Sequence, residues 1–227
     1  MTSDNPNVTQ WGQSYNYDGF GNLTNQTVIK GSAPTLAVTY DPTTNRRTGE
    51  AADANGNIGY GSQYDIENRL RAPDGSTTYA YDPSNKRVYR GISSQGIDEI
   101  TFWGVTGQKM AAYQLSAVTV GSYPNSQNVV QFSLTSTNVY FGGKLVAKGT
   151  ASFQNSTNDL VQLVAVTADR LGSIGKFYPF GQEKPSATAN DTEKFTGYFR
   201  DAATGLDYAD QGYHQPRMGT RTCCSGS

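Results

Sequence analysis

The chain has 227 residues, of which 18 are basic and 19 are acidic, so its formal net charge is −1. This balance provides no basic field for nucleic acid or anionic lipid and argues against both kinds of binding protein. Charged residues make up 16% of the chain, against about 25% in ordinary soluble domains. Glycine and tyrosine are abundant instead, with 25 and 15 residues. This composition is typical of sheet proteins and predicts an all-β fold with negligible helix.

The chain contains no segment that resembles a membrane span or a signal peptide. No window approaches the roughly 20 apolar residues of a membrane helix, and the start MTSDNPNVTQWGQ lacks basic and apolar regions. We therefore interpret the chain as cytosolic or, preferably, as an internal piece of a longer exported protein. The two cysteines, Cys223 and Cys224, are adjacent. A bridge between neighbours would be strained, which favours free thiols or an intermolecular disulfide.

The first part of the chain contains an internal repeat. Tyr-Asp pairs begin the runs YDGFGNL, YDPTTNRR, YDIENRL and YDPSNKRV, with aspartates at 18, 41, 65 and 82, and a fifth copy, DANGNI, starts at Asp53 without its tyrosine. Each run predicts a strand end, a turn and a new strand, because aspartate accepts turn amide protons and the following Gly or Asn tolerates positive φ. The tyrosines are predicted to form a ladder of rings across stacked hairpins.

The middle of the chain predicts further strands. From Val129, the apolar residues Val130, Phe132 and Leu134 alternate with polar ones, which predicts a half-buried strand. The pair Gly142-Gly143 predicts a tight hairpin, and the apolar run LVQLVAV at 160–166 predicts a strand buried on both faces. Strands are also predicted at 100–103 and 109–118, loops at 121–127 and 149–158, and one short helical turn within 191–200.

The last third of the chain carries three ordered motifs. They are TADRLGS, then FYPFGQ, then FTGYFRDAATGLDY, and their distinctive residues are Asp169, Leu171, Gly172, Ser173, Tyr178, Pro179, Phe180, Gly181, Gln182, Phe195, Thr196, Gly197, Arg200, Asp201, Thr204, Gly205, Leu206, Asp207 and Tyr208. Together with the preceding repeats, they resemble the core motif of the Rhs (YD-repeat) family over nearly the whole chain to about Tyr213. The resemblance implies a β strip that spirals into a hollow shell, with the core motif closing one end.

In that family a toxin domain often follows the core and is released by self-cleavage at an aspartate-bearing D-P motif. This chain departs from the pattern there, with Gly212, His214, Thr220 and Arg221 in place of the expected residues. Self-cleavage is therefore not carried over, and we expect no toxin domain in this chain. The resemblance favours an extracellular or cell-surface location.

The sequence gives little support for a catalytic or ligand-binding site. His214 is the one histidine; we expect it in an exposed tail, and a zinc site with Cys223 and Cys224 would have unusual spacing. We also expect no glycosidase-like carboxylate pair, and we assign no catalytic, cofactor or metal residues. Trp11 and Trp103 are either sugar-binding platforms or, preferably, packing residues. The N-x-[ST] glycosylation sequons mark polar loops, and they occur at Asn7, Asn22, Asn25, Asn155 and Asn190.

We divide the chain into a repeat strip at 1–95, continuing strands and hairpins at 96–168, the core motif at 169–213 and a divergent flexible tail at 214–227. The predicted function is a non-enzymatic structural module of an Rhs-like shell, without cofactor, whose partners are other copies or further segments of a larger chain. Self-assembly is predicted at the nearly uncharged N-terminal edge, residues 7–28. The alternatives are a module that binds surface carbohydrate and an inactive remnant of a toxin-delivery protein.

Overall fold

The computed structural model describes residues 2–3, 10–59, 63–152, 160–185, 187–210 and 212–216. In this part of the chain the fold is all β, and its strands form three open antiparallel sheets. The helical segments here are short 3₁₀ turns at Ser93–Gln95 and Phe195–Gly197. The all-β prediction is confirmed, and so is the short turn predicted within 191–200.

Each sheet is built from strands that follow one another along the chain. The N-terminal sheet contains β1 (Thr2–Ser3), β2 (Trp11–Tyr17), β3 (Leu23–Gly31) and β4 (Leu36–Ala37). The large sheet contains β5 (Thr77–Tyr81), β6 (Arg87–Ile92), β7 (Ile97–Trp103), β8 (Lys109–Val120), β9 (Gln127–Phe141), β10 (Lys144–Ser152) and β11 (Leu160–Ala165). The C-terminal sheet contains β12 (Thr192–Glu193), β13 (Phe199–Arg200), β14 (Asp207–Tyr208) and β15 (Tyr213–His214). Within each sheet, described strands that are consecutive in the chain pair with each other, so their connections are hairpins or loops between adjacent strands.

The five repeats form closely similar turns, in which the aspartate side chain accepts hydrogen bonds from the backbone. At Asp82, Oδ1 accepts from the N–H groups of Ser84 at 2.9 Å and Lys86 at 2.8 Å. The N–H of Asn85 donates to the Asp82 carbonyl at 3.0 Å, and its φ of +62° lies in the left-handed region that asparagine tolerates. Backbone N–H groups also donate to the carboxylates of the other four repeats, at Asp18, Asp41, Asp53 and Asp65. The predicted turns are therefore confirmed.

Polar side chains connect each turn to the next, because asparagine amides and arginine guanidinium groups reach the neighbouring turn. The links run from Asn22 to Asn45 at 2.6 Å, Arg46 to the Asp53 carbonyl at 3.0 Å, Asn57 to Asn68 at 2.9 Å and Arg69 to Asn85 at 3.0 Å. The predicted tyrosine ladder does not extend to the first repeat, since the Tyr17 side chain is exposed. The turns are thus stacked side by side by short polar contacts.

The hairpin predictions for the middle of the chain are confirmed in position. Gly142 and Gly143, with φ of +56° and +76°, connect β9 to β10, as expected for a two-residue turn in which both residues need positive φ. The loop predicted at 121–127 separates β8 from β9 and ends where β9 begins at Gln127. The loop predicted at 149–158 is wrong over its first four residues, which belong to β10, and residues 153–159 lie outside the described part.

Two burial predictions in this region are wrong. Residues 127–132 of β9 are exposed at every position, on both faces of the strand, so the alternation at Val130 and Phe132 does not reflect a buried face. The apolar run at 160–166 forms β11, which is the last strand of the large sheet, and its Leu163 and Val164 are exposed. An apolar run shows that a strand has apolar side chains on both faces. Whether those side chains are buried depends on the position of the strand in its sheet and on what packs against it.

The core lies where residues 169–216, here called the C-terminal block, pack against the large sheet. One cluster of buried side chains combines Leu70 and Tyr79 with Phe199, Tyr208 and Tyr213 of the block. A second contact joins the block to the N-terminal sheet, where the Tyr178 ring packs edge-on against Trp11 with centroids 5.2 Å apart. The block therefore covers one face formed by the repeat region.

Candidate functional site

The C-terminal block is held to the large sheet and its connecting turns by ion pairs of uniform polarity. Within the described residues, every such pair takes its cation from the sheet side and its carboxylate from the block. The pairs are Lys86–Asp210 at 2.7 Å, Arg87–Asp201 at 2.6 Å, Arg90–Asp191 at 2.6 Å and Lys148–Glu193. The two surfaces are thus electrostatically complementary, which fixes the position of one on the other.

Arg87 lies at the centre of this contact. It is the first residue of β6, directly after the turn of the last repeat, and its side chain is almost fully buried. One guanidinium nitrogen, Nη1, donates to Asp201 Oδ2 at 2.6 Å and to the Tyr213 hydroxyl at 2.9 Å. The guanidinium carbon lies 4.6 Å from the ring centre of Tyr79 and 4.7 Å from that of Tyr208. These distances are typical of cation–π contacts and place a buried charge among aromatic rings.

Asp201 receives hydrogen bonds from both the sheet and its own turn. The Tyr79 hydroxyl donates to Oδ2 at 3.0 Å, and the N–H of Ala203 donates to Oδ1 at 2.9 Å. Burial alone would raise the pKa of Asp201, but the charges of Arg87 and Arg90 outweigh it and hold the pKa below its usual value. Asp201 is therefore ionised at neutral pH and neutralises Arg87.

Glu193 of β12 is the second buried carboxylate of the contact. It pairs with Lys148, and the side-chain amide of Asn138 donates to Oε1 at 3.0 Å. Burial alone would raise the pKa of Glu193, whereas the charges of Lys109 and Lys148 lower it. The block thus places a charged group against the side chains of Asn138 in β9 and Lys148 in β10, which are register partners in the large sheet.

Further ion pairs stabilise the block itself. The fully buried Lys194 donates to Glu183 Oε2 at 2.6 Å, and Arg200 pairs with the buried Asp207. His214 Nδ1 lies 3.5 Å from Asp207 Oδ2. The contacts of Asp207 with Arg200 and His214 connect the consecutive short strands β13, β14 and β15, which share few backbone hydrogen bonds. The Lys194–Glu183 pair joins the residue after β12 to the preceding loop.

His214 is not in an exposed tail, and that prediction is wrong. It belongs to β15, its side chain is 12% exposed, and its ring stacks on Phe195 with centroids 6.0 Å apart. Cys223 and Cys224 lie outside the described residues, as do the sequons at Asn7 and Asn155. Among the described residues, no cluster of three or more His, Cys, Asp or Glu side chains could hold a metal ion.

Trp11 and Trp103 are both half-buried and in contact with the block. Trp103 Nε1 donates to the Arg87 carbonyl at 3.0 Å, and its ring lies 6.2 Å from that of Tyr208. Lys184 Nζ lies 4.5 Å from the ring centre of Trp11. Both indoles therefore pack against the block, Trp11 from the N-terminal sheet and Trp103 from the large sheet.

Several residues of this contact were missed by the sequence analysis. Arg87 occurs in the repeat YDPSNKRV, but the sequence pattern assigns it no function. No pattern singles out the other contact residues Tyr79, Asn138, Lys148 and Glu193. Their sequence signal is weak, because Arg87 and Asp201 are separated by 114 residues. The third motif does contain the block's main contact residues Asp201 and Tyr208, and its conspicuous charges could have suggested buried partners.

The chemistry of this arrangement is that of docking. Asp201, Asp191, Glu193 and Asp210 are each paired with a lysine or arginine. Charge-assisted hydrogen bonds of this kind fix geometry strongly.

The helical segments of the described residues include none that is long and apolar enough to cross a membrane.

The chain resembles two solved structures over nearly its whole length. The crystal structure of TcdB2-TccC3-Cdc42 matches it with a TM-score of 0.49 and 19% sequence identity, over 97% of this chain and 12% of that chain. The crystal structure of TcdB2-TccC3 matches with a TM-score of 0.49 and 17% identity, over 95% of this chain and 12% of that chain. No protein-family model matches the chain, and no curated protein matches it significantly.

Proposed function

We propose that the chain is a non-enzymatic structural module that contributes strands to a larger, Rhs-like β assembly. The repeat turns and the docked C-terminal block form its rigid part, and the open edges of its sheets join it to other copies. The observation that carries this proposal is a two-stranded projection of the large sheet, here called the arm, which consists of residues 115–120 of β8 and 127–132 of β9.

The arm extends beyond the strands that flank it. In the described residues, β7 pairs with β8 only as far as Gln114, and β10 pairs with β9 only from Thr137 onward. Within the arm, β8 and β9 therefore pair with each other and with no other described strand. Isolated two-stranded hairpins are at best marginally stable in water, so the arm is expected to gain stability from a partner.

The surface of the arm favours association. No charged residue occurs between Lys109 and Lys144, and the side chains of Val130 and Phe132 are 60% and 56% exposed. Natural edge strands are usually protected by charged residues, proline or bulges. An uncharged edge of β-forming residues is instead suited to pairing with another strand.

A second copy of the chain is the partner that this surface fits, because uncharged edges on both sides of the arm are complementary to each other. Pairing of a six-residue edge would give about six inter-strand hydrogen bonds at each interface, within the range of roughly 10 ± 5 of a typical protein interface. Contact of the β8 edge with the β9 edge of the next copy is heterologous and continues as a ring or an open filament. The arm thus replaces the N-terminal edge as the main site of the proposed assembly.

The experiment is light scattering and negative-stain electron microscopy under reducing conditions, with Val130→Lys as the test variant. We expect the unmodified chain to form rings or filaments with rising concentration, and the variant to remain monomeric because a lysine on the edge opposes pairing. The control is Val105→Lys, since Val105 is fully exposed in the turn between β7 and β8 and outside the arm. A monomeric unmodified chain, or equal assembly of both variants, would overturn the proposal.

A further inference from the structure

A cleft lies between the large sheet and the C-terminal block, beside the Arg87 centre. Its volume is about 390 Å³, within the roughly 300–1,000 Å³ of small-molecule sites. Aromatic side chains from both sides form its walls; Trp103 and Tyr140 belong to the sheet, and Tyr198, Phe199 and Tyr208 belong to the block. The cleft therefore depends on the docked position of the block.

Lys109, the first residue of β8, places an amine in this cleft. Its Nζ lies 4.0 Å from the ring centre of Phe199. The carbonyl of Lys109 accepts hydrogen bonds from Asn138 and Tyr140, but in the described part of the chain its amine makes no hydrogen bond and no ion pair within 4.0 Å. Burial lowers its pKa, although the carboxylates of Glu193 and Glu99 oppose that effect. Lys109 is half-buried, and an ammonium that is partly removed from water without an ion pair would be stabilised by an anion in the cleft.

The other charged groups that line the cleft leave it with an excess of positive charge. Its carboxylates, Glu193 and Asp210, are already paired with Lys148 and Lys86, which do not line it. The exposed Lys144 and Arg170 line the cleft as well. Neither of these two makes an ion pair with a described residue.

We propose that this cleft binds a small aromatic carboxylate, with the carboxylate on Lys109 and the ring among the aromatic walls. A flat apolar body suits walls of aromatic side chains, and a single negative charge matches the one half-buried ammonium of Lys109. A ligand of this class joins the sheet to the block, because Lys109 belongs to one and Phe199 to the other. This site is independent of the assembly proposed for the arm.

Three probes separate the contributions of charge and ring. Phenylacetate carries both, phenylacetamide has nearly the same shape without the charge, and acetate has the charge without the ring. The readout is the fluorescence of Trp103 in a Trp11→Phe background, confirmed by isothermal titration calorimetry. For a ligand with roughly ten non-hydrogen atoms we expect a dissociation constant of about 1 mM for phenylacetate. Binding of the other two probes is expected to be at least about tenfold weaker.

The test variant is Lys109→Met, which retains the length of the side chain and removes its charge. We expect it to weaken phenylacetate binding by about tenfold or more, and to have no effect on phenylacetamide. The control variant is Lys176→Met, since Lys176 is an exposed lysine of the block outside the cleft, and its binding should be unchanged. The proposal is overturned if the unmodified chain binds phenylacetate and phenylacetamide equally or shows no saturable binding. The first comparison uses no variant and therefore does not depend on the folding of Lys109→Met.

Discussion

The buried pair Arg87–Asp201 provides a direct test of how the block is held. In the variant Asp201→Asn the shape of the side chain is retained, but Arg87 loses the carboxylate that neutralises it. Asp201 is fully buried and the Arg87 side chain is 7% exposed, so water cannot replace the lost partner. Removing one member of a buried pair costs about 3–5 kcal/mol, which in a protein of this size corresponds to a fall in Tm of about 6–20 °C.

The assay is urea denaturation followed by tyrosine and tryptophan fluorescence, together with thermal melting. The matched control is Glu50→Gln, which breaks the more exposed Arg47–Glu50 pair, whose side chains are 27% and 25% exposed. Pairs that contact solvent contribute about 0–1 kcal/mol, so this variant should be nearly neutral. The double variant Arg87→Met/Asp201→Asn should recover part of the loss, because no unpaired charge remains. Equal effects of Asp201→Asn and Glu50→Gln would refute the reasoning.

Two further predictions concern acid stability and the packing of the block. Hydrogen bonding from the Ser173 backbone lowers the pKa of Asp169, and the pKa of Asp201 is also lowered. Carboxylates with a lowered pKa stabilise the fold above their unfolded pKa of about 3.9, and this stabilisation is lost as the pH falls. Thermal melting should therefore give a constant Tm down to about pH 4 and a declining Tm below it, and a constant Tm to pH 2 would contradict this. Gly181→Ala should destabilise the fold more than Gly205→Ala in the same assay. Both residues have positive φ, but only at Gly181 would an added Cβ lie 2.7 Å from the Phe195 ring. Equal losses of stability would contradict the packing of this turn.

The sequence predicted local structure well because the turns depend on short-range chemistry. The carboxylate of Asp82 bonds to N–H groups two and four residues away, so the turn is encoded within one repeat. A sixth turn of this type, in which Asp169 accepts from the N–H groups of Leu171 and Ser173 at 2.8 Å, was present in the first quoted core motif. From the sequence alone it is assigned to the core motif and not to the repeats.

Burial was predicted less well because it depends on distant parts of the chain. The apolar run of β11 has the pattern of a central strand, yet it pairs on one side only among the described residues. His214 shows the opposite error, since a histidine between Gly/Pro-containing segments stacks on Phe195 and lies beside Asp207, and no local pattern reveals either neighbour. Periodicity reports which face of a strand is apolar, and only the topology determines what covers that face.

The distribution of charge separates two kinds of contact in this molecule. Where the block meets the large sheet, charges such as Arg87 and Asp201 are buried and paired, and a displacement of one surface on the other would leave them unpaired at a high energetic cost. The arm carries no charge, so strand pairing there tolerates several registers and depends mainly on backbone hydrogen bonds. The docking of the block is therefore specific and is expected to be retained when copies associate, whereas the proposed assembly assigns the association of copies to the arm. The cleft at Lys109 belongs to the specific contact, and its occupation should accordingly alter the stability of the docked block without changing association through the arm.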